Sequence, residues 1–469
     1  MRVLLLVGVM LASPLMAQVF DESDLIVARD LREAALAGNG GFDIVEDLTT
    51  RVGPRLAGSE GDARAVDWAE AMLTELGFDR VWREPATFPT WSRGHEEVAV
   101  VSPVAQDFEA LALGYSPATP EEGIEAEVVM FDDLAALEAA GADTLNGKIV
   151  FIRNRMERAR DGSGYGPAVQ ARARGAMVAA EKGAEAVLIR SIGTSTNRFA
   201  HTGGMRFDTA VRSLPAAAIS NPDADQLERL IRLGEPVVVR MNIDAQINEA
   251  YTSNNVIGQI NGARYPEQVV ALGAHLDSWD VGTGALDDGS GVGIVTEAAR
   301  RIMALEQRPD RSVQVILFAA EEIGLWGGRA WAQERSESID QVHVAAESDF
   351  GAGPIYAMSA RVVESARPVI EAIAAELEPL GIELTDSRRA SGGPDFIPAF
   401  PLGLAAVDLY QDGTHYFDYH HTENDTLDKI DPEALKQNAA AYAVLAWLAA
   451  QSPVRFGSGA ALLEQERED

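Results

Sequence analysis

The sequence predicts an α/β fold: a mixed, mostly parallel sheet with helices on both faces, interrupted by an inserted, mostly-β cap. Three observations predict it. From Ala250 onward, apolar strand-type runs alternate with helical patterns, the order that builds parallel sheets. Between about 124 and 248 the pattern changes to short β-type runs, GIEAEVVMF, KIVFI, EAVLIR and PVVVRMNI, joined by Gly-rich turns and one helical stretch at 169–182. The chain of 469 residues is long enough for two or three domains with a substantial core.

Taken in order, the chain opens on MRVLLLVGVMLASPLMAQ. One arginine, an apolar run and small Ala17 are the layout of a signal peptide over 1–17. The apolar run is shorter than the roughly 20 residues that span a bilayer. A first domain is expected over 18–123 and 249–454. Within it TRVGPRLAGSEG reads as a turn at 50–61. A helix follows at 62–76, with Ala65, Trp68, Ala69, Met72, Leu73 and Leu76 on one face and Gly77 as its stop. The cap is expected over 124–248. Strands follow at 269–274, 313–319, 342–346 and 403–409, and helices at 288–305, 327–334 and 432–450. The charged residues 455–469 read as a flexible tail.

Composition narrows the function. Net charge is −33, which repels phosphates and argues against a nucleic-acid partner. One basic island interrupts this, Arg153, Arg155, Arg158, Arg160, Arg172 and Arg174, and reads first as a salt-bridged face. Cysteine is absent. Any metal site must therefore use His, Asp and Glu, and no thiol nucleophile is available.

The chemistry concentrates where strands end. The stretch HLDSWDVGTGALDDGSG places His275 and Asp277 after the first strand and Asp287–Asp288 in the next loop. Glu321 and Glu322 follow the second strand, Asp349 the third, and His420–His421 the fourth, past a loop. Open α/β sheets bind ligands in the crevice beyond their strand ends. Crowded carboxylates repel one another unless a cation neutralises them. A two-metal site needs a bridging carboxylate, which either Asp287 or Asp288 supplies, with imidazole and carboxylate completing each shell. Adjacent Glu321 and Glu322 point apart, so one binds metal while the other faces the attacking water. Asp277 is spaced to accept the other ring N–H of His275 and so orient it.

HLDSWDVGTGALDDGSG, AAEEIGLWG, ESDFGAG and HHTENDTLDKIDP resemble the motifs of the co-catalytic zinc exopeptidases. RVGPRLAGS, YPEQVV, LIRS, HTG and DLY resemble the carboxypeptidase Q branch of that family. The resemblance runs from about residue 24 to 454. It implies a phosphorylase/hydrolase-like sheet and a protease-associated cap. It implies two zinc ions per chain, with cobalt or manganese as substitutes. One ion falls to His275 and Asp349, the other to Glu322 and His421, with Asp287 as the bridge and Glu321 as general base. It implies a cis peptide between Asp287 and Asp288. The substrate is expected to be an unblocked dipeptide or short peptide, the location secreted or periplasmic, with no membrane association after signal cleavage, and the assembly a homodimer. A broad aminopeptidase is the alternative. A one-zinc acyltransferase of the glutaminyl cyclase type and a non-catalytic binding protein are further functions of the same scaffold. Many relatives place an oxyanion-stabilising tyrosine where this chain reads SGGPD, at 391–395. His420 is the favoured substitute here, with Tyr410 and Tyr416 as others. Arg190, His201 and Tyr410 are the expected substrate contacts.

Overall fold

The computed structural model describes residues 19–206 and 213–468, so the expected signal peptide lies outside it. Helices α1 (Glu22–Ala37), α2 (Gly40–Arg51) and α3 (Glu60–Leu76) come first. Ser59 caps α3 by accepting from the Gly61 and Asp62 N–H groups, and Gly77 ends it at φ 90°. Then come β1 (Arg80–Ser102), β2 (Gln106–Phe108), β3 (Ala110–Ala112) and β4 (Ile124–Phe131). Next are α4 (Leu134–Glu138), β5 (Lys148–Ile152), α5 (Tyr165–Glu181), β6 (Ala186–Arg190), β7 (Ala216–Ile219) and α6 (Asn221–Arg232). The rest runs β8 (Val238–Ile260), β9 (Tyr265–His275), α7 (Ser290–Met303), β10 (Arg311–Phe318), α8 (Trp326–Glu334), β11 (Val342–Glu347), β12 (Ile355–Arg361), α9 (Arg367–Leu377), β13 (Glu383–Leu384), β14 (Ala406–Gln411), α10 (Pro432–Gln451) and α11 (Ala460–Glu468).

All the strands join one sheet, whose main path is β13-β12-β14-β11-β9-β10-β8-β4-β5-β6-β7-β3. Its middle is a ribbon. β1 and β8 pair antiparallel from Arg80↔Gln259 to Ser102↔Val238. At a rise of about 3.3 Å per residue each strand spans roughly 75 Å, long enough to reach both sides of the sheet. The carboxyl-terminal half of β8 pairs with β10, and its amino-terminal half with β4. On the first side β10, β9, β11 and β14 run parallel. On the second side β4, β5, β6 and β7 run parallel, with α4, α5 and α6 packed among them.

One large apolar cluster runs through both sides, from Leu31, Val270 and Val344 to Val150, Ile152 and Val187, and a second gathers Phe88, Trp91, Phe151, Leu188 and Trp279. α10 is buried along most of its length, including Tyr442 and Trp447. Asp431 caps it and Pro432 sits at its first turn, where the missing N–H costs nothing. The expected flexible tail is corrected by the structure. Phe456 and Leu462 are buried, Glu466 pairs with the buried Arg361, and the Gly459 N–H donates to Gly403 O. Buried apolar side chains and an ion pair hold α11 against the domain. No helix among the described residues is long and apolar enough to cross a membrane.

Candidate active site

The loops after β9, β10, β11 and β14 converge as the parallel strand order requires. His275 ends β9, and its ring is fixed from behind: Nδ1 donates to the backbone oxygen of Asp277 at 3.0 Å. The Asp277 carboxylate lies farther from that nitrogen, at 3.6 Å. Instead it accepts from the Glu321 N–H at 3.0 Å and the Glu322 N–H at 3.3 Å. Asp277 therefore orients His275 mainly through its carbonyl, and its side chain shapes the Glu–Glu turn.

With its proton on Nδ1, His275 presents the Nε2 lone pair to carboxylate oxygens. Asp287 Oδ1 lies 3.1 Å away and Asp349 Oδ1 3.4 Å away. His421 repeats the arrangement. Its Nδ1 faces Thr202 O at 3.3 Å, and its Nε2 lies 2.9 Å from Glu322 Oε2 and 3.2 Å from Asp287 Oδ2. Asp287 thus offers one oxygen to each imidazole. The Asp287–Asp288 peptide is cis. Asp288 turns away from this cluster and accepts from the His275 and Gly291 N–H groups.

Lone pairs aimed at carboxylates at these distances need a proton or a cation between them. Asp287 Oδ2 and Glu322 Oε1 are buried, and neither has a hydrogen-bond partner among the described residues. The ligand atoms form two groups compatible with a metal ion, His275–Asp287–Asp349 and Asp287–His420–His421, which share Asp287. Two imidazole nitrogens and several carboxylate oxygens suit a divalent cation of the zinc type. The residues fit the metal.

The electrostatics follow from burial. Burial pushes the Glu321 carboxyl well above the usual range; the His275 ring opposes this, and Asp349 and Glu322 add to it. Burial would raise Asp287 too, but the neighbouring His275, His421 and His420 rings reverse the effect and hold it well below. Burial drives the His420 ring well below its ordinary value, so it stays neutral, stacked on His421 at 3.5 Å between centroids.

Several other sequence candidates meet different partners. His420 Nε2 stands 3.6 Å from Asp287 Oδ2, beside the ligands. Arg190, expected to meet substrate, is buried inside the cap; it bonds to Arg153 O, Asn221 O, Asp225 and Glu228, which leaves no free fork for a ligand. Tyr410 is likewise engaged, its hydroxyl 2.8 Å from that of Ser359. His201 reaches the site from the cap, with Nδ1 bonded to His420 O at 2.8 Å. Most of the basic island is paired: Arg153 with Asp132, Arg155 with Asp225, Arg158 with Asp418, Arg160 with Asp412 and Arg174 with Glu138.

Two residues inside the quoted motifs carry work that the sequence reading left unassigned. Asp425, four residues after His421, accepts from the Leu286 and Asp287 N–H groups at 2.7 and 3.1 Å and so sets the backbone at Asp287. Arg55, fully buried, donates to the carbonyls of Leu276, Thr283 and Gly284 and braces the loop between His275 and Asp287. A cavity of about 380 Å3 opens beside the cluster, lined by Leu286, Ala352, Pro354, Tyr416, Tyr419 and Lys429.

Residues 255–446 match the model of peptidase family M28. Carboxypeptidase Q of Bos taurus is 34% identical over 414 residues, covering 88% of this chain and 86% of that protein. The chain belongs to peptidase family M28. It is therefore a metallopeptidase, a hydrolase. A solved structure of a peptidase M28 precursor from Shewanella amazonensis is 50% identical, covers 93% of this chain and 99% of its own, and superposes with a TM-score of 0.91. The zinc aminopeptidase of Bacillus subtilis shares the fold at 21% identity, covering 87% of this chain and 94% of its own, with a TM-score of 0.62. The M28 match spans every candidate metal ligand and Glu321, from His275 to His421.

Proposed function

We propose that this chain is an exported di-zinc exopeptidase that hydrolyses unblocked dipeptides or short peptides. One observation carries the reading: two imidazole lone pairs, on His275 and His421, face opposite oxygens of one buried carboxylate, Asp287. The bound ions would be held by His275 and Asp349 on one side and by Glu322 and His421 on the other, with Asp287 between. When bound, they supply Lewis acidity for the scissile carbonyl and lower the pKa of water. Glu321 takes the proton of the attacking water and returns it to the leaving amine. Its buried carboxyl, shifted upward, suits both halves of that task. Asp277 keeps the Glu321–Glu322 backbone in register for it. The cavity beside Leu286 and Tyr416 offers room for one side chain of the substrate. The apolar leader over 1–17 and the kinship with carboxypeptidase Q support export and dipeptide cleavage.

A broad aminopeptidase is the second reading, and one observation favours it. Arg190, the expected reader of a substrate carboxylate, has its donors engaged within the cap. Hydrolysis of Ser-Met against its C-terminal amide separates the two. Cleavage of the free dipeptide alone supports the dipeptidase; equal cleavage of the amide supports the aminopeptidase. Loss of both activities on zinc removal, and their return on zinc addition, tests the metal reading.

A further inference from the structure

The seam between the cap and the His420–His421 turn contains buried groups that the hydrolytic step does not use. Arg172 on α5 is 6% exposed, and its partners are a carbonyl and a phenol: Nη1 donates to Thr202 O at 3.2 Å, and Nη2 donates to the Tyr165 hydroxyl. Buried guanidinium groups usually sit against carboxylates. This one instead lies 3.4 Å from His421 Nδ1. The same Thr202 carbonyl faces that nitrogen, so arginine and imidazole share one acceptor. The loop grips the turn twice more. The Thr202 N–H donates to His421 O at 3.0 Å, and His201 Nδ1 to His420 O. His421 sits at φ 60°, a left-handed conformation that a histidine keeps only with outside support. Gly203 follows at φ 133°, and a Cβ there would lie 2.2 Å from Arg172 Nη1.

We propose that Arg172 and the 201–203 loop are positioning residues for the second metal ion. The Thr202 carbonyl accepts the Nδ1–H of His421 and so aims the Nε2 lone pair at the ion shared with Glu322 and Asp287, and Arg172 fixes that carbonyl by donating to it. The inference rests on the two-ion reading above. It makes the 201–203 loop part of the metal's outer shell: packing of that loop on the His420–His421 turn and tight loading of this ion are coupled, while the His275–Asp349 ion does not depend on that loop.

The test is cobalt(II) titration and chelator-driven release on the full chain. The wild type is expected to hold two ions, and His421→Ala identifies the one that this ligand serves. Arg172→Ala should weaken that ion by about 10–100-fold. The other ion should stay within about twofold, and the cobalt absorption band of the first should shift. Arg172→Lys keeps the charge without the planar fork and should recover only part of the affinity. Equal weakening of both ions, or unchanged binding in a folded Arg172→Ala protein, overturns the proposal. Should Arg172→Ala fail to fold, Gly203→Ala decides: it pushes on the guanidinium and must reproduce the one-sided loss, and unchanged or symmetric binding overturns the proposal. A wild type that binds one ion overturns the two-ion reading. The proposal then stands if that ion is the one removed by His421→Ala and weakened by Arg172→Ala, and falls otherwise.

Discussion

The two imidazoles that face Asp287 are fixed in contrasting ways. His275 is held by its neighbours in sequence: Asp277 O takes its Nδ1 proton, and Asp288 accepts its backbone N–H. His421 is held by contacts 219 residues away, on Thr202 of the cap. The first arrangement forms as soon as β9 and its loop fold. The second waits until residues 201–203 pack against the His420–His421 turn, and that packing supplies the partner for Nδ1. One half of the site is thus rigid by local chemistry, and the other is conditional on assembly. Long-range contacts of this kind also carry the larger closure entropy, so they are the first to open under stress.

Asp287 is where the two halves meet, and its removal should have the largest effect. Asp287→Ala should weaken both metal sites together and bring turnover to background. Metal content by atomic emission after dialysis checks this, and loss of a single ion would count against a bridge. Glu321→Ala should leave both halves and the metal content intact while lowering kcat by about 10²–10⁴-fold. A kcat near wild type would show that the proton acceptor is another group. Asp425→Ala sharpens the comparison from the rigid side. It strips the acceptor from the Leu286 and Asp287 N–H groups and should lower metal affinity about 10–100-fold, with the chain still folded. A chelator titration beside the wild type reads it.

The sequence made the local half easy to see and the conditional half hard. Apolar β runs ended by a polar residue located His275, Glu321, Glu322 and Asp349, because strand patterning and site placement coincide there. His421 was found as half of a pair, with nothing to say what stood behind it. Thr202 acts through its backbone carbonyl, which has no side-chain signature. Arg172 looked like one more member of a basic island, and only its burial sets it apart from Arg155 or Arg174. Arg190 misleads for the opposite reason: an arginine inside a family-like motif suggests a ligand contact, yet Asp225 and Glu228, one and two turns along α6, pair with it. Asp425 and Arg55 lay inside recognisable motifs, but their acceptors and donors are backbone groups that no residue pattern displays.

The smallest expected effect probes the seam through pH. Burial pushes the His201 ring down to about 4, against an ordinary value of 6.5, while its bond to His420 O works the other way. The unfolded chain takes up this proton below about pH 6.5, and the folded chain only near pH 4. Between those limits the unfolded state binds more protons, so stability is full above pH 6.5 and declines as the pH falls toward 4. At pH 5.5 the loss is about 1.4 kcal/mol for this one group. His201→Gln keeps a donor for His420 O and cannot titrate. Its melting temperature should therefore fall less than that of the wild type between pH 7.5 and 5.5. Because the group sits on the conditional half, the wild-type loss should be matched by earlier release of the ion served by His421, with the His275 ion unaffected. Parallel melting shifts in the two proteins would remove His201 from the seam's energetics and leave Arg172 and Thr202 to hold it.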